Sequence, residues 1–296
     1  MKILIIGASG MLGHSLFTNL SKYNHEVYGT VRSSEKEYFG GLKKNIFQNI
    51  NLDIDKINQV ESLIKKINPD YLINCIGIIK QKKLSKSENK KQIIYVNSYL
   101  PYLLSDIAER NNCRFIHFST DCVFSGAKGG YIESDKCDVN DTYGLTKFLG
   151  EITHSSSLTI RTSIIGHELD SNYSLVDWFL SQETKEVKGF SKAIFSGLPT
   201  CYVSLVLDKF IFGKNLSGLY HLSVDPIDKF SLLCIINKHY DKRINIIEDS
   251  TIKIDRSLSS EKLKRDTGYN YDNWETLITL MRKDRLENFI YESKKT

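Results

Sequence analysis

Tyr143 and Lys147 stand one helical turn apart in Tyr143-Gly144-Leu145-Thr146-Lys147, and a hydroxyl, Thr120, closes the run Phe118-Ser119-Thr120 a short distance before them. A phenol, an ammonium on the same helix face and a hydroxyl at a strand end are the parts that protonate a carbonyl oxygen while a hydride attacks its carbon. An unperturbed phenol titrates near ~10 and a fixed ammonium favours its charged form, so Lys147 is expected to bring Tyr143 toward working pH. Thr120 would give the oxygen a second hydrogen bond. The same spacing arises by chance in lysine-rich helices, and the chain has 16 tyrosines, so the pentapeptide gains meaning only beside a hydride source.

The N-terminus offers one. Lys2-Ile3-Leu4-Ile5-Ile6 has buried-strand length and runs at once into Gly7-Ala8-Ser9-Gly10-Met11-Leu12-Gly13. A strand, a glycine turn and a helix start form a dinucleotide cradle. The glycines admit the backbone to a pyrophosphate, and the helix from Met11 to Leu20 aims its unsatisfied amides and positive dipole end at it. Gly7, Ser9, Gly10, Met11, Leu12 and Gly13 are the expected cradle. The spacing is GxxGxxG, one residue off the GxGxxG fingerprint, and such turns also take glycine for steric reasons alone. The second strand ends in Val27-Tyr28-Gly29-Thr30-Val31-Arg32-Ser33, without the acidic residue that would hold the ribose hydroxyls of NAD. Thr30, Arg32 and Ser33 can instead receive a 2'-phosphate, the guanidinium as a bidentate fork; NADP is therefore preferred and NAD stays possible. Arg32 as a solvated surface charge is the alternative. Asp53, with Ile54 beside it, either accepts from the adenine amino group or caps a helix.

These residues need a frame, and the apolar pattern supplies it. Strands are expected at 3–6, 26–30, 46–50, 71–76, 114–119, 158–161 and 218–222, with helices at 11–22, 56–67, 91–111 and 143–153. Alternating strands and helices imply an α/β fold, a Rossmann-type doubly wound parallel sheet. The rhythm loosens after Gly166. Residues 1–165, with a returning strand near 218–222, are expected to bind the dinucleotide, and 166–296 to form mainly a smaller substrate lobe over the carboxyl ends of the strands. A chain of 296 residues with 41% hydrophobic content can bury a full core. No apolar run approaches the ~20 residues of a membrane span, and Met1-Lys2 leads directly into the first strand, so a cytoplasmic location without a signal peptide is expected. The six cysteines are scattered without paired spacing, which points to reduced thiols and no zinc site. A net charge of +5, spread along the chain, needs no nucleic-acid partner; an anionic small ligand suffices.

Glycine turn first, strand-end hydroxyl second, Tyr and Lys on the next helix third is the order of the extended short-chain dehydrogenase/reductases, which the chain resembles. Within them it is most similar to the dTDP-4-dehydrorhamnose reductase family, over essentially its whole length. The matching stretches are Gly7 to Gly13, Pro69 to Cys75, Val96-Asn97, Ser119-Thr120-Asp121-Cys122-Val123-Phe124-Ser125-Gly126, Tyr143 to Lys147, Arg161-Thr162-Ser163 and Gly218 to Leu222. The most specific of them is the STDxVFxG stretch. The resemblance implies NADPH-dependent reduction of the 4-keto group of a nucleotide-linked 6-deoxy-hexose in surface polysaccharide synthesis. Thr120, Tyr143 and Lys147 would be the catalytic trio, and Asn74, Cys75 and Gly77 would line the cofactor. Asp121, with Cys122 beside it, is well placed for the sugar.

The chain departs from the family pattern in three places. Ile164 replaces an aromatic after Arg161-Thr162-Ser163, which removes a flat surface for the sugar. Ser15 stands where metal-bridged members carry an interfacial glutamate; no metal is therefore expected, and a homodimer remains only possible. The segment from Lys188 to Thr200 replaces a more polar one, and Lys188 can meet a diphosphate or lie on a solvated loop. Arg256 in Asp255-Arg256-Ser257-Leu258 can likewise pair with a phosphate or form a structural ion pair. UDP-linked 2-acetamido sugars fit as well as dTDP-sugars. The alternatives are an epimerase or dehydratase on the same scaffold, or a non-catalytic dinucleotide-binding regulatory subunit.

Overall fold

The computed structural model describes residues 1–32, 37–48, 50, 52, 56–79, 87–154, 156–169 and 171–288. Its centre is a seven-stranded sheet of β1 (Lys2–Ile6), β2 (Glu26–Thr30), β3 (Ile46–Phe47), β4 (Tyr71–Asn74), β5 (Arg114–Thr120), β6 (Leu158–Thr162) and a late strand, Gly218–His221. The order across the sheet is Gly218–His221, β6, β5, β4, β1, β2, β3, and every neighbouring pair is parallel. This is the expected Rossmann-type α/β sheet.

β1 explains why a wholly apolar run was needed. Successive side chains point to opposite faces, and both faces are covered. Ile3 and Ile5 join the hydrophobic cluster that holds Leu12, Leu16, Phe17 and Leu20 of α1 (Met11–Leu20). Leu4 and Ile6 join the opposite cluster, which holds Val60, Leu63, Ile64 and Ile67 of α2 (Asn58–Ile67). β1 has β2 on one side and β4 on the other, so the winding reverses there. Sheets of this kind bind ligands in the crevice outside the carboxyl ends at such a switch point. Gly7, Cys75 and Thr120 all lie at those ends.

Several elements differ from the sequence pattern; the strand expected over 46–50 is β3, two residues long. The strand expected over 71–76 stops at Asn74, because Asn74 Oδ1 accepts the backbone N–H of Ile76 at 3.0 Å and turns the chain. The helix expected over 91–111 is α3 (Ser87–Ile94), a π turn (Tyr95–Tyr99) and α4 (Leu100–Arg110). The helix expected over 143–153 is α5 (Thr142–Leu149). It ends where Glu151 turns inward to pair with Arg161.

Beyond β6 come β7 (Ile164–Ile165), α6 (Leu175–Ser181), β8 (Glu186–Phe190), β9 (Ala193–Phe195), β10 (Leu198–Pro199) and α7 (Thr200–Val206). The late sheet strand is β11; β12 (Ile227–Asp228), α8 (Lys229–His239), β13 (Asn245–Asp249), β14 (Ile254–Asp255), α9 (Glu261–Thr267) and α10 (Trp274–Asn288) complete the chain. Apart from β11, these strands form small sheets, β8 with β13, β9 between β12 and β14, and β7 with β10. Their apolar side chains, from Val187 to Trp274, belong to the same cluster as Ile3.

Candidate active site

Two close approaches seat α5 between the turn that follows β5 and the π turn at Tyr95–Tyr99. A Cβ on Gly144 would lie 2.2 Å from the Cys122 carbonyl oxygen, and one on Gly150 would lie 2.0 Å from the Asn97 carbonyl oxygen. The helix can press against both neighbours only because these positions lack a side chain. Asp141 caps it, accepting the Gly144 N–H at 3.0 Å. Gly144 thereby brings the adjacent Tyr143 to the end of β5, where Thr120, Asp121 and Cys122 all bear on its phenol.

Thr120 is 7% exposed; its hydroxyl donates to Asp121 at 3.1 Å and accepts the Cys122 N–H at 3.1 Å. Burial pushes the Asp121 carboxyl up, against the opposing pull of Arg256 and hydrogen bonds from Thr120, Cys122 and Ser163. Arg256 reaches this corner from the far end of the chain. Its Nε donates to the Phe124 carbonyl at 2.8 Å, and Nη1 lies 3.5 Å from Cys122 Sγ. Lys188, by contrast, projects from β8 and pairs with Asp249 at 3.0 Å, not with the residues at the end of β5.

Lys147 is buried under α5, 4% exposed. Its ammonium donates to the Phe118 carbonyl at 2.7 Å and lies 3.4 Å from His117 Nε2. Burial lowers its pKa to about 8, with Glu151 and Cys75 opposing. The expected tuning of Tyr143 is not what the structure shows. Burial raises the phenol above its ordinary value, Cys122, Asp121 and Asp141 add to the rise, and Thr120 opposes it. The Lys147 ammonium is turned instead toward β5 and toward Gly77, where a Cβ would lie 4.0 Å from Nζ.

The glycine turn divides its labour. Gly7 has φ of 90°, and a Cβ there would lie 2.6 Å from Ile76; a Cβ on Gly13 would lie 2.1 Å from the Gly7 oxygen. Both glycines are demanded by packing. Gly10 is not, since its Cβ would meet only that oxygen at 3.6 Å. Ser9 and Gly10 are exposed, Met11 is half-buried and Leu12 is buried against the core. Gly10 is the N-cap of α1, and no side chain caps the N–H groups that follow. An open glycine beside uncapped helix amides fits a dinucleotide pyrophosphate.

Thr30 does not face a 2'-phosphate: it is 2% exposed, and its hydroxyl accepts the Gly7 N–H at 3.2 Å. Arg32 is exposed just past β2. Ser33, Asp53 and Ile54 lie outside the described residues. Asn74 is fully buried and Cys75 half-buried, with burial holding the Cys75 thiol high; Gly77 is exposed. Asn97 clamps this segment, accepting the Ile78 N–H at 2.8 Å and donating to the Ile78 carbonyl at 3.0 Å and to Thr146 at 3.2 Å.

Sequence reasoning passed over His117 and Glu151, and gave Ser163, in a matching stretch, no role of its own. Glu151 receives Arg161 Nε and Nη2, each at 2.7 Å, and Ser119 at 2.6 Å, which ties β5 and β6 to the end of α5. His117 carried a signal, a lone ionisable residue inside the apolar strand Phe115-Ile116-His117-Phe118, directly across from Asn74 in the sheet register.

A spore coat polysaccharide biosynthesis protein, SpsK, from Bacillus subtilis is 28% identical over 236 residues, 75% of this chain and 73% of that one. A dTDP-4-dehydrorhamnose reductase from Burkholderia thailandensis is 25% identical over 238 residues, covering 75% and 72%. The crystal structure of dTDP-4-dehydrorhamnose reductase from Bacillus anthracis in complex with NADP superimposes with a TM-score of 0.78 at 21% identity, covering 96% and 99%, and so shares the fold. Residues 1–285 match the family described as the RmlD substrate binding domain, and the chain belongs to that family.

Proposed function

We propose that this chain is an NADPH-dependent oxidoreductase that reduces the 4-keto group of a nucleotide-activated 6-deoxy-hexose, dTDP-linked or a UDP-2-acetamido sugar, for surface polysaccharide synthesis. The observation that carries the reading is the placement of Tyr143 beside Thr120 beyond the carboxyl end of β5, with Lys147 buried on the same helix and donating to the Phe118 carbonyl at 2.7 Å, in a chain of this family. The relatives' names, a 4-dehydrorhamnose reductase and a polysaccharide biosynthesis protein, supply the substrate class.

Bound NADPH supplies the hydride. The pyrophosphate would rest on the open turn at Ser9 and Gly10 and the first amides of α1, at Met11, Leu12 and Gly13. Arg32, exposed past β2, would meet the 2'-phosphate, and Asn74, Cys75 and Gly77 would line the nicotinamide end. Lys147, facing Gly77, would hold the ribose hydroxyls there. As the carbonyl oxygen takes on negative charge, Thr120 donates to it and Tyr143 delivers the proton. The phenolate left behind regains a proton from solvent before the next turnover. Asp121, Cys122 and Arg256 would bound the sugar and its phosphates, with the elements after Gly166 as the substrate side.

The test is loss of NADPH absorbance with dTDP-4-keto-6-deoxy and UDP-2-acetamido-4-keto-6-deoxy sugars in parallel. Oxidation with one of them, abolished in Tyr143→Phe, is expected. Tight NADPH binding with no oxidation by either sugar would overturn the reading.

A further inference from the structure

His117 has no part in the mechanism above, yet it is wholly buried beside Lys147. Its neighbour across the sheet, Asn74, is also wholly buried. Asn74 Oδ1 accepts the backbone N–H of Ile76 at 3.0 Å. A backbone amide can only donate, so this bond fixes which end of the side-chain amide is oxygen. Asn74 Nδ2 must then be the donor toward His117 Nδ1, 3.1 Å away, and Nδ1 must accept. A neutral imidazole that accepts at Nδ1 carries its proton on Nε2. Nε2 is the atom that lies 3.4 Å from Lys147 Nζ. Burial and the Lys147 charge keep the ring neutral.

An N–H aimed at an ammonium is repelled, whereas the same N–H aimed at an amine lone pair is a hydrogen bond. We propose that His117 is a positioning residue for the reduction, its Nε2–H set by Asn74 against Nζ of Lys147, so that Lys147 holds a readily released proton and not a permanent ammonium. The proposal rests on the reading of Lys147 as a member of the catalytic trio. The other groups facing Nζ are the Phe118 carbonyl on β5, the Cys75 thiol after β4, and Glu151 beyond the end of α5. Cys75 and Glu151 favour the ammonium, but the Glu151 charge is already engaged on both oxygens by Arg161. His117 is thus the neighbour whose hydrogen-bonding sense decides against it.

Two measurements test this. Imidazole nitrogen NMR on the wild-type protein at neutral pH should show His117 as the Nε2–H tautomer. The Nδ1–H tautomer or an imidazolium would overturn the proposal whatever the enzyme's substrate proves to be. The second uses Asn74→Asp, whose carboxylate would accept from Nδ1, move the ring proton there and turn the Nε2 lone pair toward the lysine. Its Lys147 titration, read from the lysine Cε carbon resonance and from the basic limb of kcat/KM, should move up by roughly one pH unit or more. Reduced activity with an unmoved titration would mean that Asn74 and His117 are merely structural. Should the variant not fold, the wild-type tautomer still decides.

Discussion

In the proposed reduction Tyr143 would enter as an acid and not as a pre-formed phenolate. Burial holds its proton on throughout the neutral range, and Thr120 eases its release. Tyr143→Phe should therefore lower kcat by about 10²- to 10⁴-fold and leave the NADPH dissociation constant, read by fluorescence titration, nearly unchanged. In the same proposal Lys147 would set the alkaline limit. Its pKa is lowered to about 8, so the ammonium is complete below that pH and lost above it. The expected kcat/KM is flat on the acid side of about 8 and falls as pH rises through it; a profile level to pH 10 would remove Lys147 from the proton inventory. At this scale the sequence was informative where chemistry depends on residue type and short spacing, as for Thr120 and Tyr143. It misjudged the direction of the tyrosine shift, because that depends on how much of the molecule surrounds the ring.

Among the elements, the glycine turn and the α5 clamp carry different loads. Gly10→Ala should fold with unchanged Tm and lose cofactor affinity, since its Cβ would occupy open space above the turn. Gly13→Ala should lose stability as well, by roughly 1–3 kcal/mol in denaturant titration, because its Cβ would collide with the Gly7 carbonyl. Equal behaviour of the two variants would contradict this division. The Glu151–Arg161 pair, 3% exposed on each side, holds the end of α5 to β6. Glu151→Ala leaves a buried guanidinium without its carboxylate and should cost about 3–5 kcal/mol of stability. A change under about 1 kcal/mol would show that solvent reaches Arg161. Helix ends were poorly legible in the sequence for this same reason. α5 stops at Leu149 because a residue beyond it is drawn to an arginine on another strand, which no helical periodicity records.

For the whole molecule, the late elements pack into the same core as the first strand, and they deliver Arg256 to the corner made by Cys122 and Asp121. The interior also stores protons. Burial raises the thiol of Cys113 from 9.0 to about 12, and the phenols of Tyr202 and Tyr220 from 10.0 to about 12. Above about pH 9 the unfolded chain releases protons that the folded chain keeps, so the stability these groups contribute is intact below pH 9 and is lost as pH rises toward 12. Tm should fall steadily over that window; a constant Tm would mean these groups are solvated in the fold. The sequence by itself determined the parallel sheet, the glycine turn after β1 and the placing of Thr120 at the end of β5 and Tyr143 at the start of α5, because periodicity and local spacing are written along the chain. Only the tertiary structure decided that Thr30 serves the turn, that Lys188 pairs with Asp249 while Arg256 reaches the site, and that Asn74 orients His117 against Lys147. Each of these joins residues distant in the chain that become neighbours through strand order and lobe packing, and their charges are set by a burial that no local stretch contains.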